Sequence, residues 1–247
     1  MSGHSKWHSI KHKKMATDAK RGKMFTKFIR EIMMAAKTGG GNPDTNPRLR
    51  MVIDKAKGFN MPNDNIQRAI KKGLGEEGGV QFEQVTYEGY GPGGVAVYIE
   101  VLTDNKNRSA SEIRSIFSKH SGNLGGAGSV SWIFERKGVI SVSREKVKED
   151  ELLEMILDAG AEDMSDEGDV YEITVMPEKF ESVKKVLADK KIETVDASVT
   201  LVPKNTVKVE GKTAEQILKL LEALEDHDDV QGAYANFDIP DDVVSAV

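Results

Sequence analysis

The sequence predicts an α+β protein of three domains: a basic three-helix bundle and two α/β modules, one ferredoxin-like (βαββαβ) and inserted into the other. Three observations carry this prediction. Apolar residues recur at helical spacing through the first third of the chain. Beyond residue 80 the pattern becomes alternating strands separated by helical stripes. Charge is also divided: residues 1–75 hold 17 Lys and Arg against 5 Asp and Glu, and residues 76–247 hold 18 against 35. The net charge of −5 therefore averages +12 and −17, an asymmetry that points to an acidic partner such as nucleic acid.

Residues 1–21 lack apolar periodicity and are rich in Lys, Ser and His, which predicts a basic arm ordered on contact with a partner. Lys23–Lys37 then places Phe25, Phe28, Ile29, Ile32, Met33 and Ala36 on one side of a helix. Lys23, Lys27, Arg30 and Lys37 fall on the other, so one face can pack while the other presents cations. Gly39-Gly40-Gly41 stops this helix. Asn46 and Pro47 cap and open a second, with Leu49, Val52, Ile53 and Ala56 inside. A third begins near Asn63, buries Ile66, Ala69 and Ile70, exposes Arg68, Lys71 and Lys72, and stops at Gly73. Residues 75–79 read as a linker, closing a first domain at 1–79.

Val80–Glu88 and Gly94–Thr103 alternate as strands joined by Gly89-Tyr90-Gly91-Pro92-Gly93. Ser109 with Glu112 predicts a capping box for a helix burying Ile113, Ile116 and Phe117, and Ser129–Glu135 reads as a strand. The stretch 136–205 is complete in itself. Its strands are Gly138–Ser143, Ala161–Ser165, Val170–Met176 and Thr194–Val202, with helices over Asp150–Ala159 and after Pro177, the ferredoxin-like order. A capping box at Thr213 and Gln216 opens a last helix, and Val230–Asp238 a last strand, so residues 206–247 return to complete the 80–135 unit.

Composition excludes several function classes. The chain has no cysteine, hence no disulfide, thiol nucleophile or Cys-ligated zinc. No apolar run could cross a bilayer, and Met1–Lys14 lacks the apolar middle of a signal peptide, so a cytoplasmic location is expected. Gly89–Gly94 formally fits a dinucleotide loop, but a strand follows where a phosphate-binding helix would be required. His4, His8 and His12 recur every four residues among lysines that would repel a metal cation. Glu225–Asp229 lacks the spacing of a calcium loop and reads as an acidic, solvated helix end; His120 and His227 stand alone. Trp7 in the arm could stack on a base or pack on the bundle. No catalytic set, metal or cofactor is expected.

Several motifs then resemble the YebC/PmpR family: Gly3-His4-Ser5-Lys6-Trp7, Asp18-Ala19-Lys20-Arg21-Gly22-Lys23, Asn46-Pro47-Arg48-Leu49-Arg50, Asn60-Met61-Pro62, Tyr87–Gly94, Thr103–Arg108 and Asn236-Phe237-Asp238. They occur in register over essentially the whole chain. The resemblance implies a cytosolic three-domain bacterial protein without enzymatic activity, described as a probable DNA-binding transcriptional regulator. It also implies a link to translation, through relatives that act on ribosomes stalled at proline-rich sequences and a mitochondrial translational activator of a cytochrome oxidase subunit. The candidate phosphate contacts read from the residues are Lys11, Lys13, Lys14, Lys20, Arg21, Lys23, Lys27, Arg30, Arg48 and Arg50. The expected partner is DNA, or ribosomal RNA, with protein partners on the acidic modules.

Overall fold

The computed structural model describes residues 18–76 and 82–239, with side chains from Gly22 onward. The basic arm through residue 17, the 77–81 connection and the last residues lie outside that description, and with them Lys11, Lys13, Lys14, Trp7 and the three arm histidines.

Helix α1 (Asp18–Gly39) is the spine of the bundle. Its stripe of Phe28, Ile32, Met33, Ala35 and Ala36 packs on Leu49, Val52, Ile53 and Ala56 of α2 (Pro47–Gly58) and on Ile66, Ala69 and Ile70 of α3 (Asn63–Gly73). The α1–α2 turn is locked by buried Asn46. Its Oδ1 accepts from the Leu49 N–H at 3.1 Å as the helix cap, while Nδ2 donates to the Ala35 and Gly40 carbonyls at 2.9 and 2.8 Å.

Strands β1 (Glu83–Tyr90) and β2 (Ala96–Thr103) form an antiparallel hairpin across the glycine turn. Gly93 has φ +75°, and a Cβ on Gly91 would meet Ile217 Cδ1 at 2.5 Å. These glycines therefore serve close packing and not a phosphate. Helix α4 (Lys106–Lys119) follows, then the short strand β3 (Asn123–Leu124) beside β1. Strand β4 is Phe134–Ser143, α5 is Glu149–Asp158, β5 is Ala161–Asp166 and β6 is Val170–Val175. Helix α6 (Phe180–Asp189) and strand β7 (Thr194–Pro203) continue that layer. Last come β8 (Val207–Lys208), α7 (Gly211–Glu225), β9 (Val230–Ala235) and β10 (Phe237–Asp238).

Two four-stranded sheets result, ordered β3-β1-β2-β9 and β5-β6-β4-β7, while β8 pairs in parallel with β10. The chain thus returns to pair β9 with β2. In the first sheet Val97, Ile99 and Val101 pack against Phe117 of α4 and Ile217, Leu221 and Leu224 of α7. In the second, Ile140, Val142, Ile173 and Val175 face Leu152 and Ile156 of α5 and Phe180, Val183 and Leu187 of α6. Between the sheets lie Ala96, Val130, Ile133 and Phe134, closed by Tyr234, whose hydroxyl donates to Glu100 at 3.1 Å. Among the described residues no helix is long and apolar enough to cross a membrane.

Four local expectations are corrected. Helix α4 begins three residues before Ser109, capped by Asn105 Oδ1 on the Arg108 N–H at 3.1 Å, because an extended Asn105 supplies the cap first and leaves Ser109 inside the helix. Helix α7 has no side-chain cap, and Thr213 lies within its first turn. Ser129–Glu135 is not one strand. The Gly128, Val130 and Ser131 N–H groups are spent on the buried Glu88 carboxylate at 2.7–2.8 Å, so no ladder can form there. Strand β4 starts only at Phe134 and runs through residue 136. Finally, Val230–Asp238 is interrupted at Asn236, whose Oδ1 accepts from the Ala96 N–H at 2.7 Å.

Candidate nucleic-acid interface

Three cations of α1, Lys23, Lys27 and Arg30, have partners within the protein. Lys27 is only 8% exposed, and its Nζ donates to the Glu225 carbonyl at 2.5 Å, in the last turn of α7. One turn earlier Lys23 reaches the Asp226 carbonyl at 3.3 Å and its carboxylate at 3.5 Å. On the other side Arg30 donates to the Asp228 carbonyl at 2.6 Å and to Asp229 Oδ1 at 2.7 Å, with its guanidinium 5.4 Å from the Phe82 ring. Three cations spaced at i, i+4 and i+7 thus dock on the negative end of the α7 dipole, where helix-end carbonyls and carboxylates coincide. The helix end expected to be solvated at Glu225–Asp229 keeps Asp226 and Asp228 exposed, but Asp229 is buried and the run's carbonyls and carboxylates anchor α1. Replacing Lys27 by Met keeps the apolar stem and removes the charge. Chemical denaturation should then show a loss of about 1–2 kcal/mol.

Asp229 is the centre of this anchor. It is 2% exposed, and its Oδ2 accepts from Ser109 Oγ at 2.6 Å, Thr103 Oγ1 at 3.0 Å and Arg108 at 3.4 Å. Burial pushes its carboxyl up, but the Ser109 and Thr103 hydroxyls and Arg30 outweigh this and hold it below the usual range. Glu88 behaves alike: burial raises it, and the Val130, Gly128 and Ser131 donors bring it below the usual range. A depressed folded-state pKa contributes stability that is present above the unfolded value, about 3.9–4.3 for these carboxyls, and lost as pH falls toward the folded one. Unfolding free energy should therefore be flat with respect to these groups above about pH 5 and fall on acidification. Urea titrations of the wild type and of Glu88→Gln at pH 7 and pH 3.5 check this, since the variant should lose less on acidification.

Glu112, His227 and Asp229 bring their ligand atoms within 4.8 Å of one another, a possible cation set. His227 is thus not alone, but its ring is already committed. Nδ1 accepts from the Asp229 N–H at 3.1 Å, so Nε2 carries the proton and donates to Glu112 at 2.8 Å. A metal would have to displace these bonds while facing Arg30 and Arg108, which does not fit a cation site. The surrounding cleft, of about 790 Å³, mixes Lys23, Arg30, Arg108 and Lys119 with five acids and presents no single sign of charge.

The remaining predicted contacts separate. Lys20 and Arg21 lie on α1, with side chains outside the described residues. Arg48 is exposed at the seam with β1, 3.4 Å from Gln84 Oε1. It and Lys55 flank Glu31, whose carboxyl burial pushes above the usual range. Arg50 is exposed, with one contact to the Pro43 carbonyl at 3.4 Å. Sequence reasoning missed Thr103, Arg108, Ser109 and Asp229 as a set. Only the Thr103–Arg108 motif hinted at it, since no local pattern joins residues 103–109 to residue 229.

The fold and this interface define a multi-domain α+β protein in which a basic helical bundle is clamped to an acidic helix end. The chain belongs to the TACO1/YebC family: residues 5–76 match the family's N-terminal domain, and residues 82–237 match its second and third domain. It is 59% identical over 248 residues to a probable transcriptional regulatory protein of Dictyoglomus thermophilum, covering 100% of both chains. A protein of the same description from Thermotoga maritima is 58% identical, with 98% of this chain and 95% of the relative covered. The crystal structure of a conserved hypothetical protein from Aquifex aeolicus superposes with a TM-score of 0.80 at 52% identity, covering 90% of this chain and 92% of that one.

Proposed function

We propose that the protein is a cytoplasmic, non-enzymatic regulator that binds the phosphate backbone of nucleic acid through its basic N-terminal part, most directly as a DNA-binding transcriptional regulator. The observation that carries this is the +12 net charge of residues 1–75 beside the −17 of the remainder. The description of the relatives as probable transcriptional regulatory proteins supports the same reading. In this reading the chain divides into a basic domain at 1–79, an α/β domain at 80–135 with 206–247, and a ferredoxin-like domain at 136–205. Lys11, Lys13, Lys14, Lys20, Arg21, Arg48 and Arg50 meet the backbone. Lys23, Lys27 and Arg30 join them only when α1 leaves the Glu225–Asp229 anchor.

Lysine-rich surfaces read charge and not base sequence, so one surface would serve duplex DNA or structured ribosomal RNA. Retention on duplex DNA and co-sedimentation with ribosomes, measured at matched salt, tell the targets apart. A transcriptional regulator holds DNA at salt concentrations where it leaves ribosomes; the reverse order makes the protein a translation factor. Replacing Lys11, Lys13 and Lys14 by Ala should weaken binding to all sequences alike. A loss confined to one sequence would contradict backbone recognition.

A further inference from the structure

With Lys23, Lys27 and Arg30 engaged at the α7 end, the positive surface of the bundle without ion-pair partners lies elsewhere. Three packing facts locate it. The α1–α2 turn is pinned by Asn46 to the Ala35 and Gly40 carbonyls. Gly41 lies against Ile70 and Leu74 of the α3 end, and Gly73 sits so close to Met33 and Ala36 that a Cβ there would overlap the Met33 carbonyl. The end of α1, the start of α2 and the end of α3 therefore converge on one end of the bundle.

That end carries Lys37, Arg50, Lys71 and Lys72, all exposed. Among the described residues Lys37, Lys71 and Lys72 have no ion-pair partner, and Arg50 has only the 3.4 Å contact to the Pro43 carbonyl. Arg68 continues the row one turn back along α3. The acids nearby in the chain are Asp44, Asp54, Asp64 and Glu76, and none of them forms an ion pair with these cations. The opening of α2 points its N-terminal dipole at the same place, and this end lies about two turns along α1 beyond Arg30, the last of the cations held at the α7 anchor.

We infer that this end of the bundle, formed by Lys37, Arg50, Lys71 and Lys72, is a preformed seat for a phosphodiester backbone, available while α1 stays anchored. The inference rests on the nucleic-acid reading above and adds to it a surface that includes the third helix. The same chemistry is offered by duplex DNA and by an RNA helix, and both are used as probes. Unpaired lysines in a last helical turn could instead serve only to offset helix dipoles, and that alternative predicts a loss of stability without a loss of binding.

The test uses the full chain with a 30-base-pair DNA duplex and an RNA duplex of equal length, titrated by fluorescence anisotropy from 50 to 200 mM KCl. The variant is Lys37→Ala, Arg50→Ala, Lys71→Ala and Lys72→Ala together. The control removes four exposed lysines of the second sheet layer, Lys146, Lys148, Lys185 and Lys190. Four lost phosphate contacts should make the slope of log K against log salt shallower by about 3.6, and the control should leave it unchanged. A charge-keeping set (Lys37→Arg, Arg50→Lys, Lys71→Arg, Lys72→Arg) should retain the wild-type slope. If the fourfold variant fails to fold, Lys71→Ala with Lys72→Ala should still remove about 1.8 of the slope. A wild type that binds while the folded variant keeps its full slope overturns the seat. A wild type that binds neither duplex overturns the nucleic-acid reading itself.

Discussion

Replacing Asp229 by Ala is expected to lower the unfolding free energy by about 3–5 kcal/mol, the cost of breaking a buried, multiply bonded ion pair. The magnitude follows from what is left behind. Arg30, with a side chain 17% exposed, loses its 2.7 Å carboxylate partner. The hydroxyls of Thr103 and Ser109 lose their common acceptor inside the protein. The damage joins α1, α4 and the 226–229 loop, so it should also loosen the bundle. Asp229→Asn keeps the shape and one acceptor and should cost less. Urea denaturation of the full chain reads both variants, and a loss under about 1 kcal/mol for Asp229→Ala would show that the anchor is not a structural centre. Because the chain has no cysteine, dyes on cysteines introduced at exposed Lys57 and Lys119 report the bundle's position without competing thiols.

Much of the local structure was legible where its cause was local, although the caps expected at Ser109 and Thr213 did not form. The α2 cap at Asn46–Pro47, the stop at Gly73, the glycine hairpin and the βαββαβ order expected over residues 136–205 all follow from periodicity and turn chemistry. The larger differences arise where a distant partner decides. Glu88 draws off the N–H groups that would have extended a strand over residues 129–133, from some 40 residues away. The row Lys23, Lys27 and Arg30 was correctly placed opposite the apolar stripe of α1. Its partner, though, is the end of a helix about 200 residues on, and a helical wheel cannot distinguish a solvated row of cations from a docked one. The Glu225–Asp229 run reads as solvated for the same reason. Charge asymmetry between the two parts of the chain was visible, but not that it is partly consumed inside the molecule.

That consumption sharpens the functional account. Among the described basic side chains of α1, Lys23, Lys27 and Arg30 hold the bundle to the α7 end, and in the proposed reading the cations of the arm and of the far end of the bundle meet the partner. If about six of the latter neutralise phosphates, the association constant should fall roughly a thousandfold between 50 and 200 mM salt, since each released counterion contributes about 0.9 to the slope. Internal anchoring is far less exposed to salt, because Lys27 and Asp229 are buried. The most direct measurement is therefore the dissociation constant of the full chain for a nucleic-acid duplex across that salt range, with the fold monitored in parallel. The account predicts a linear log–log decline with a slope near −5 and an unchanged fold. A flat response with the protein still folded would contradict it.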